Sequence, residues 1–110
     1  MSASIKIYLN ITQSDRIKDF KSRSTGKIIT KYSVNGLKDI ELFYYSLQGP
    51  TLDKSDKNKV YFCMILNSNF YTDILNEPAG KKYLLGLCIS YLQERLSMDK
   101  NPLLSLYNPS

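Results

Sequence analysis

The chain has 110 residues, a formal charge of +5, an apolar share of 43% and a charged share of 23%. Those proportions belong to one folded domain, residues 1–110, large enough for a core without staples, and exclude a disordered chain. The apolar runs at 60–66 and 83–92 are too short for a membrane span, which takes about twenty residues as a helix, and the start alternates instead of forming a signal peptide. A cytoplasmic, intracellular protein with no membrane partner is expected.

Residues 4–12, SIKIYLNIT, alternate strictly: Ile5, Ile7, Leu9 and Ile11 point one way, Lys6, Tyr8 and Asn10 the other. This predicts a half-buried strand. Residues 14–21, SDRIKDFK, read as a short helix capped by Ser14, with Ile17 and Phe20 on one face. SRSTG at 22–26 is turn material.

Asn35-Gly36 stands between two β-rich runs, 27–34 and 37–47, and predicts an antiparallel hairpin with a type I′ turn. QGPTLDKSDKN at 48–58 reads as a polar loop. Residues 59–66, KVYFCMIL, are apolar on both faces, the pattern of a central strand. A helical turn is expected after Ser68. Residues 77–97 form a long helix with a broad apolar stripe, Asn76 at its cap and Pro78 in its first turn. Gly86 inside it costs about 1 kcal/mol against Ala, which points to a close neighbour. The end, NPLLSLYNPS at 101–110, is a short apolar tail.

The expected architecture is α+β: a small antiparallel sheet of about four strands packed against one long C-terminal helix, with a short helix after the first strand. The expected core is Ile5, Ile7, Leu9, Ile28, Tyr32, Leu42, Phe62, Met64, Leu85, Cys88, Ile89, Leu92 and Leu96. One helix covers only one sheet face, whereas residues 59–66 are apolar on two. A homodimer burying the second face or the tail is the economical solution.

The chain has no His and its five Gly are isolated. Ser–His and Cys–His nucleophile pairs, His-containing metal sites and Gly-rich phosphate loops are therefore excluded. Cys63 and Cys88 make no Cys-x-x-Cys motif and read as two buried free thiols. The carboxylates Asp39, Glu41, Asp53 and Asp56 read as solvated acids without the apolar setting that acid–base work needs. No enzymatic activity, no metal and no cofactor are expected.

Charge is the remaining signal. Residues 16–31, RIKDFKSRSTGKIITK, hold six of the fifteen basic residues and only one acid, Asp19. The stretch therefore carries the whole +5 excess, and the rest of the chain is neutral. Lysines on an edge strand can serve only to block aggregation. Localised charge on a neutral chain is also what phosphate binding uses, and the SRSTG turn offers hydroxyl and N–H donors beside it. The candidate nucleic-acid-binding residues are Arg16, Lys18, Lys21, Arg23, Lys27 and Lys31. The expected function is a small basic binding module for the phosphates of DNA or RNA, acting as a homodimer. The alternative is a protein-interaction or structural module without nucleic-acid activity. A chain rich in Ile, Lys, Asn and Tyr is compatible with a virus or mobile element, and then with the host cell.

Overall fold

In the computed structural model, which describes residues 5–98, the alternating start of the chain is strand β1 (Lys6–Ser14). The apolar run is β3 (Lys59–Asn67), and it is central as its two-sided pattern predicts. β1 pairs with it in parallel, from Lys6 opposite Lys59 to Ser14 opposite Asn67. β2 (Ser46–Leu52) pairs with its other edge antiparallel. The fold is α+β, but among the described residues the sheet has three strands, ordered β1-β3-β2, and is mixed, where about four antiparallel strands were expected.

Two features of β2 correct the reading of 48–58 as loop. The strand runs through Gly49-Pro50 to Leu52, and the hairpin loop to β3 is only 53–58. The register slips between Gln48 and Thr51, a bulge that accommodates Pro without a ladder donor. Gly49 has φ +119°, and a Cβ there would lie 2.6 Å from the Tyr61 carbonyl oxygen, so the bulge requires glycine.

The hairpin predicted at Asn35-Gly36 does not form. Residues Val34–Asp39 make a 3₁₀ helix, with the Ser33 hydroxyl accepting from the Gly36 N–H at 3.2 Å. The reason is competition for backbone donors. The Tyr32 N–H goes to the Asp73 carboxylate at 2.9 Å and the Val34 N–H to Glu77 at 2.6 Å. The helix expected at 14–21 is absent too. β1 continues to Ser14, whose hydroxyl holds a single turn by accepting from the Arg16 N–H at 3.1 Å. The chain then extends so that Phe20 reaches the core, fully buried.

The helical turn expected after Ser68 is helix α1 (Ser68–Leu75). Asn67 caps it, accepting from the Phe70 N–H at 2.9 Å, while Asn76 ends it instead of starting the next helix. The long C-terminal helix is α2 (Gly80–Met98). It begins after the Pro78 turn, where a Cβ on Gly80 would strike the Ile74 carbonyl. Near its far end the Arg95 guanidinium donates to the carbonyls of Leu47 at 2.9 Å and Gly49 at 3.4 Å, fastening α2 to β2.

The core lies between one sheet face and the helices. Val60, Phe62, Met64 and Leu66 of β3 meet Phe70 and Ile74 of α1 and Leu84, Cys88 and Leu92 of α2. Of the expected core, Ile5, Tyr32, Phe62, Met64, Cys88 and Leu92 are buried, and Ile7, Leu9 and Leu96 pack against it half-buried. Ile28, Leu42, Leu85 and Ile89 are exposed. The α2 stripe is rotated onto Leu84 and Cys88, which leaves Leu85 and Ile89 on its outer flank. No neighbour explains Gly86, since a Cβ there would meet nothing within 4 Å.

The other sheet face carries Tyr61, Cys63 and Ile65 of β3, half-buried, between polar residues of β1 and β2. Tyr8 and Tyr61 stack across it with ring centroids 5.2 Å apart. The apolar second face is thus a single central row. The tail at 101–110 lies outside the described residues.

Both cysteines are free, but they differ. Cys88 is fully buried, and burial pushes its thiol up to about 11. Cys63, expected to be buried, is half-buried on the open face, because strand alternation turns it away from Phe62 and Met64. A polar thiol reagent at neutral pH should therefore label Cys63 in the native protein and Cys88 only in denaturant. Equal native labelling would contradict this arrangement.

Candidate nucleic-acid interface

The residues between β1 and β2 form an irregular excursion without a ladder. Its backbone groups are held by isolated backbone pairs and by side chains, since any segment outside regular structure must still satisfy them. Phe20 is the anchor. Its N–H donates to the Tyr32 hydroxyl at 2.9 Å, and its carbonyl accepts from Ile29 at 2.8 Å. Its ring meets Tyr32, Phe43, Tyr44 and Phe70 with centroids 4.9–5.9 Å apart. The Tyr32 hydroxyl donates onward to Asp19. Burial, opposed by the Phe20 N–H and reinforced by Asp19, pushes this phenol up to about 12, so it stays a neutral donor.

Asp19, the one acid of the basic stretch, faces inward. It also accepts from the side-chain amides of Asn67 at 3.1 Å and Asn69 at 3.2 Å. It is spent on tethering the excursion to the start of α1.

All six candidate cations are exposed. Arg16 and Lys18 line one groove with Ile17, Leu42, Phe43, Tyr44 and Tyr45, of about 400 Å³. The Lys18 ammonium sits 4.4 Å from the centroid of the Tyr44 ring, a cation–π contact. Lys21, Arg23 and Lys27 ride on a small bridged turn, where Lys21 pairs with Ile28 and Ser22 with Ile40. The Arg23 guanidinium reaches the Ile40 carbonyl at 3.5 Å. Lys31 lines a different pocket, together with Asp73 and Glu77. The structure therefore groups two cations at the groove and three on the turn, and sets the sixth beside carboxylates.

The turn itself differs from the expectation. Its backbone donors do not wait for a phosphate, because Asp39 takes those of Arg23 and Ser24 while Ser22 and Thr25 oxygens take those of Thr25, Gly26 and Lys27. The carboxylate accepts from the Ser22 hydroxyl, from the Ser24 N–H at 3.0 Å and from the Ser24 hydroxyl at 2.9 Å. The Asp39 carbonyl accepts from the Arg23 N–H at 2.6 Å. Asp39 is thus an internal anion that folds the turn, not the freely solvated acid expected from the sequence. An external phosphate would meet the side-chain cations and the exposed Thr25 hydroxyl, which accepts from Lys27 and keeps its proton to donate.

Asp53 is engaged likewise, by the Ser55 N–H at 2.8 Å and hydroxyl at 2.7 Å and by the Tyr61 hydroxyl at 3.0 Å. The Ser55 bonds hold its carboxyl below the usual range, and the bond to Asp53 raises the Tyr61 phenol. Among the described residues no group of three or more His, Cys, Asp or Glu could hold a metal ion. No described helix is long and apolar enough to cross a membrane.

Sequence reasoning missed the LFYY run at 42–45 as a surface, because it was assigned to a strand. Its aromatic density was the available signal. It also missed Asp73 and Glu77, whose partners are more than forty residues away in sequence. Comparison with protein families, with curated proteins and with solved structures finds no match for this chain.

The hydroxyls of Ser22 and Ser24 hold the Asp39 carboxyl below its usual range. A depressed folded-state pKa gives stabilisation that is complete above the unfolded value, near 4, and is lost as pH falls through the lower folded value. Protection of the Arg23 and Ser24 amides, taken relative to their free-chain exchange rates, should therefore fall only as Asp39 protonates, below about pH 4. In Asp39→Asn the protection should already be lost and exchange fast at neutral pH. Exchange that stays slow in the variant would show that the carboxylate does not hold the turn.

Proposed function

We propose that this chain is a small non-enzymatic binding module that grips the phosphates of a nucleic acid through its basic excursion. The observation that carries the reading is the fate of the charges. Arg16, Lys18, Lys21, Arg23 and Lys27 are exposed, while Asp19, the only acid among them, is turned inward onto Tyr32, Asn67 and Asn69. A surface built in this way keeps its cations free of the acid nearest in sequence, as counterion release requires. Asp39 offsets part of the field at Arg23. Lys31, beside Asp73 and Glu77, belongs to the proposed surface least.

Three to five simultaneous phosphate contacts predict a slope of log affinity against log salt between about −2 and −4.5, at roughly 0.7 per contact on a single strand and 0.9 on a duplex. Arg23→Ala and Lys27→Ala should each weaken binding on every sequence and flatten the slope by nearly one unit. The competing reading, in which the lysines guard an edge, predicts unchanged binding and more aggregation. Absence of any mobility shift at low salt, on single- or double-stranded nucleic acid, would leave the protein-interaction module as the function.

The homodimer is part of the same proposal. It is favoured by the outer flank of α2, where Leu85 and Ile89 are 44% and 47% exposed beside a glycine with open space above it. An antiparallel pair of α2 helices about a twofold between Leu87 and Cys88 would set each Ile89 over the other copy's Gly86. Gly86→Ala then weakens the dimer, although Ala favours an isolated helix by about 1 kcal/mol. Light scattering that gives the monomer mass at micromolar concentration removes the dimer and leaves the phosphate reading intact.

A further inference from the structure

The groove beside Arg16 and Lys18 has a floor that phosphate binding does not need. Phe43 is clamped by Phe20, Phe70 and Tyr91, with ring centroids 4.9, 5.1 and 5.5 Å away. Tyr45 rests on Tyr91 at 4.3 Å. The aromatic residues at 43–45 are thus fixed by the core, whereas the lips are long side chains, Arg16 and Lys18, and Leu42, which is 58% exposed. Its volume of about 400 Å³ falls within the roughly 300–1,000 Å³ of small-ligand sites. The groove therefore combines an aromatic floor set in advance with a cationic rim.

We infer that this groove receives an unpaired base, with Arg16 and Lys18 on the adjoining phosphates, so that the ligand is single-stranded nucleic acid. The inference rests on the phosphate reading and specifies its ligand. The chemistry is that of single-strand binding, in which a positive track follows the backbone and aromatic rings take the faces of splayed bases. A duplex keeps those faces inside its stack and has nothing to offer the floor. Lys18, which lies over the Tyr44 ring, can exchange that contact for a phosphate as a base takes the ring face. Base edges meet no ordered set of donors in the groove, so sequence preference should be weak.

The test is fluorescence anisotropy with a labelled oligothymidylate and a duplex of equal length, at two salt concentrations, on the full chain. Wild type should bind the single strand more tightly. Tyr44→Leu, which keeps the bulk but removes the π-face, should lose about 5- to 150-fold on the single strand, the range of one base–aromatic stack, and little on the duplex. If Tyr44→Leu melts early, Leu42→Asp serves instead. That residue is exposed, and a carboxylate at the mouth should repel the strand without disturbing the core. Equal single-strand and duplex affinity, with both variants binding like wild type while Lys27→Ala still weakens binding, overturns the groove and spares the phosphate surface. No binding of either probe at low salt overturns both.

Discussion

Everything on the basic surface hangs from the seat of Phe20. The chain leaves β1 and must return to run parallel beside it as β3, a connection usually made by a helix. Here no α-helix fills the gap. Burying one aromatic ring among four others fixes the middle of the excursion, and its N–H and carbonyl are taken by Tyr32 and Ile29. Removal of such a ring costs about 3–5 kcal/mol in a packed core. Without it, neither the bridged turn nor the aromatic floor at 43–45 would have a fixed position.

The carboxylates do the work that a ladder does elsewhere. Asp19, Asp39, Asp73 and Glu77 each accept donors from a segment far away in the chain, and two of them take backbone N–H groups that a hairpin would have paired. Charged acceptors make stronger hydrogen bonds than neutral ones, so each can replace a regular ladder position. The arrangement has an electrostatic consequence. Acids engaged in folding turn toward the protein, while the cations of the basic stretch are exposed, Lys18 lying against Tyr44 and Arg23 reaching the Ile40 carbonyl. The net charge of the surface follows from how the backbone is satisfied.

The two sides of the molecule divide their tasks. One sheet face and the helices hold the core, with Asn67 joining β3, α1 and the excursion by accepting from Phe70 and donating to Ile17 and Asp19. The open face and the outer flank of α2 carry isolated apolar residues on a polar ground. The cationic and aromatic residues meet where the excursion crosses the edge of the core.

The local pattern was sufficient for β1, for the central β3 and for α2, because burial on one side or two imposes a periodicity that can be read directly from side-chain order. Alternation at 4–12, the two-sided apolar run at 59–66 and the broad apolar stripe of 77–97 needed no partner to be recognised. The concentration of cations at 16–31 was equally plain. Asn35-Gly36 and Ser14–Lys21 misled, because turn and cap preferences are worth about 1 kcal/mol, whereas Asp73, Glu77 and the pocket for Phe20 act from distant parts of the chain with more. The choice of α2 face, the occupation of the SRSTG turn by Asp39 and the joining of Arg16 and Lys18 to the LFYY run were likewise settled in three dimensions. In each case the deciding partner lies far along the chain, and no local window contains it.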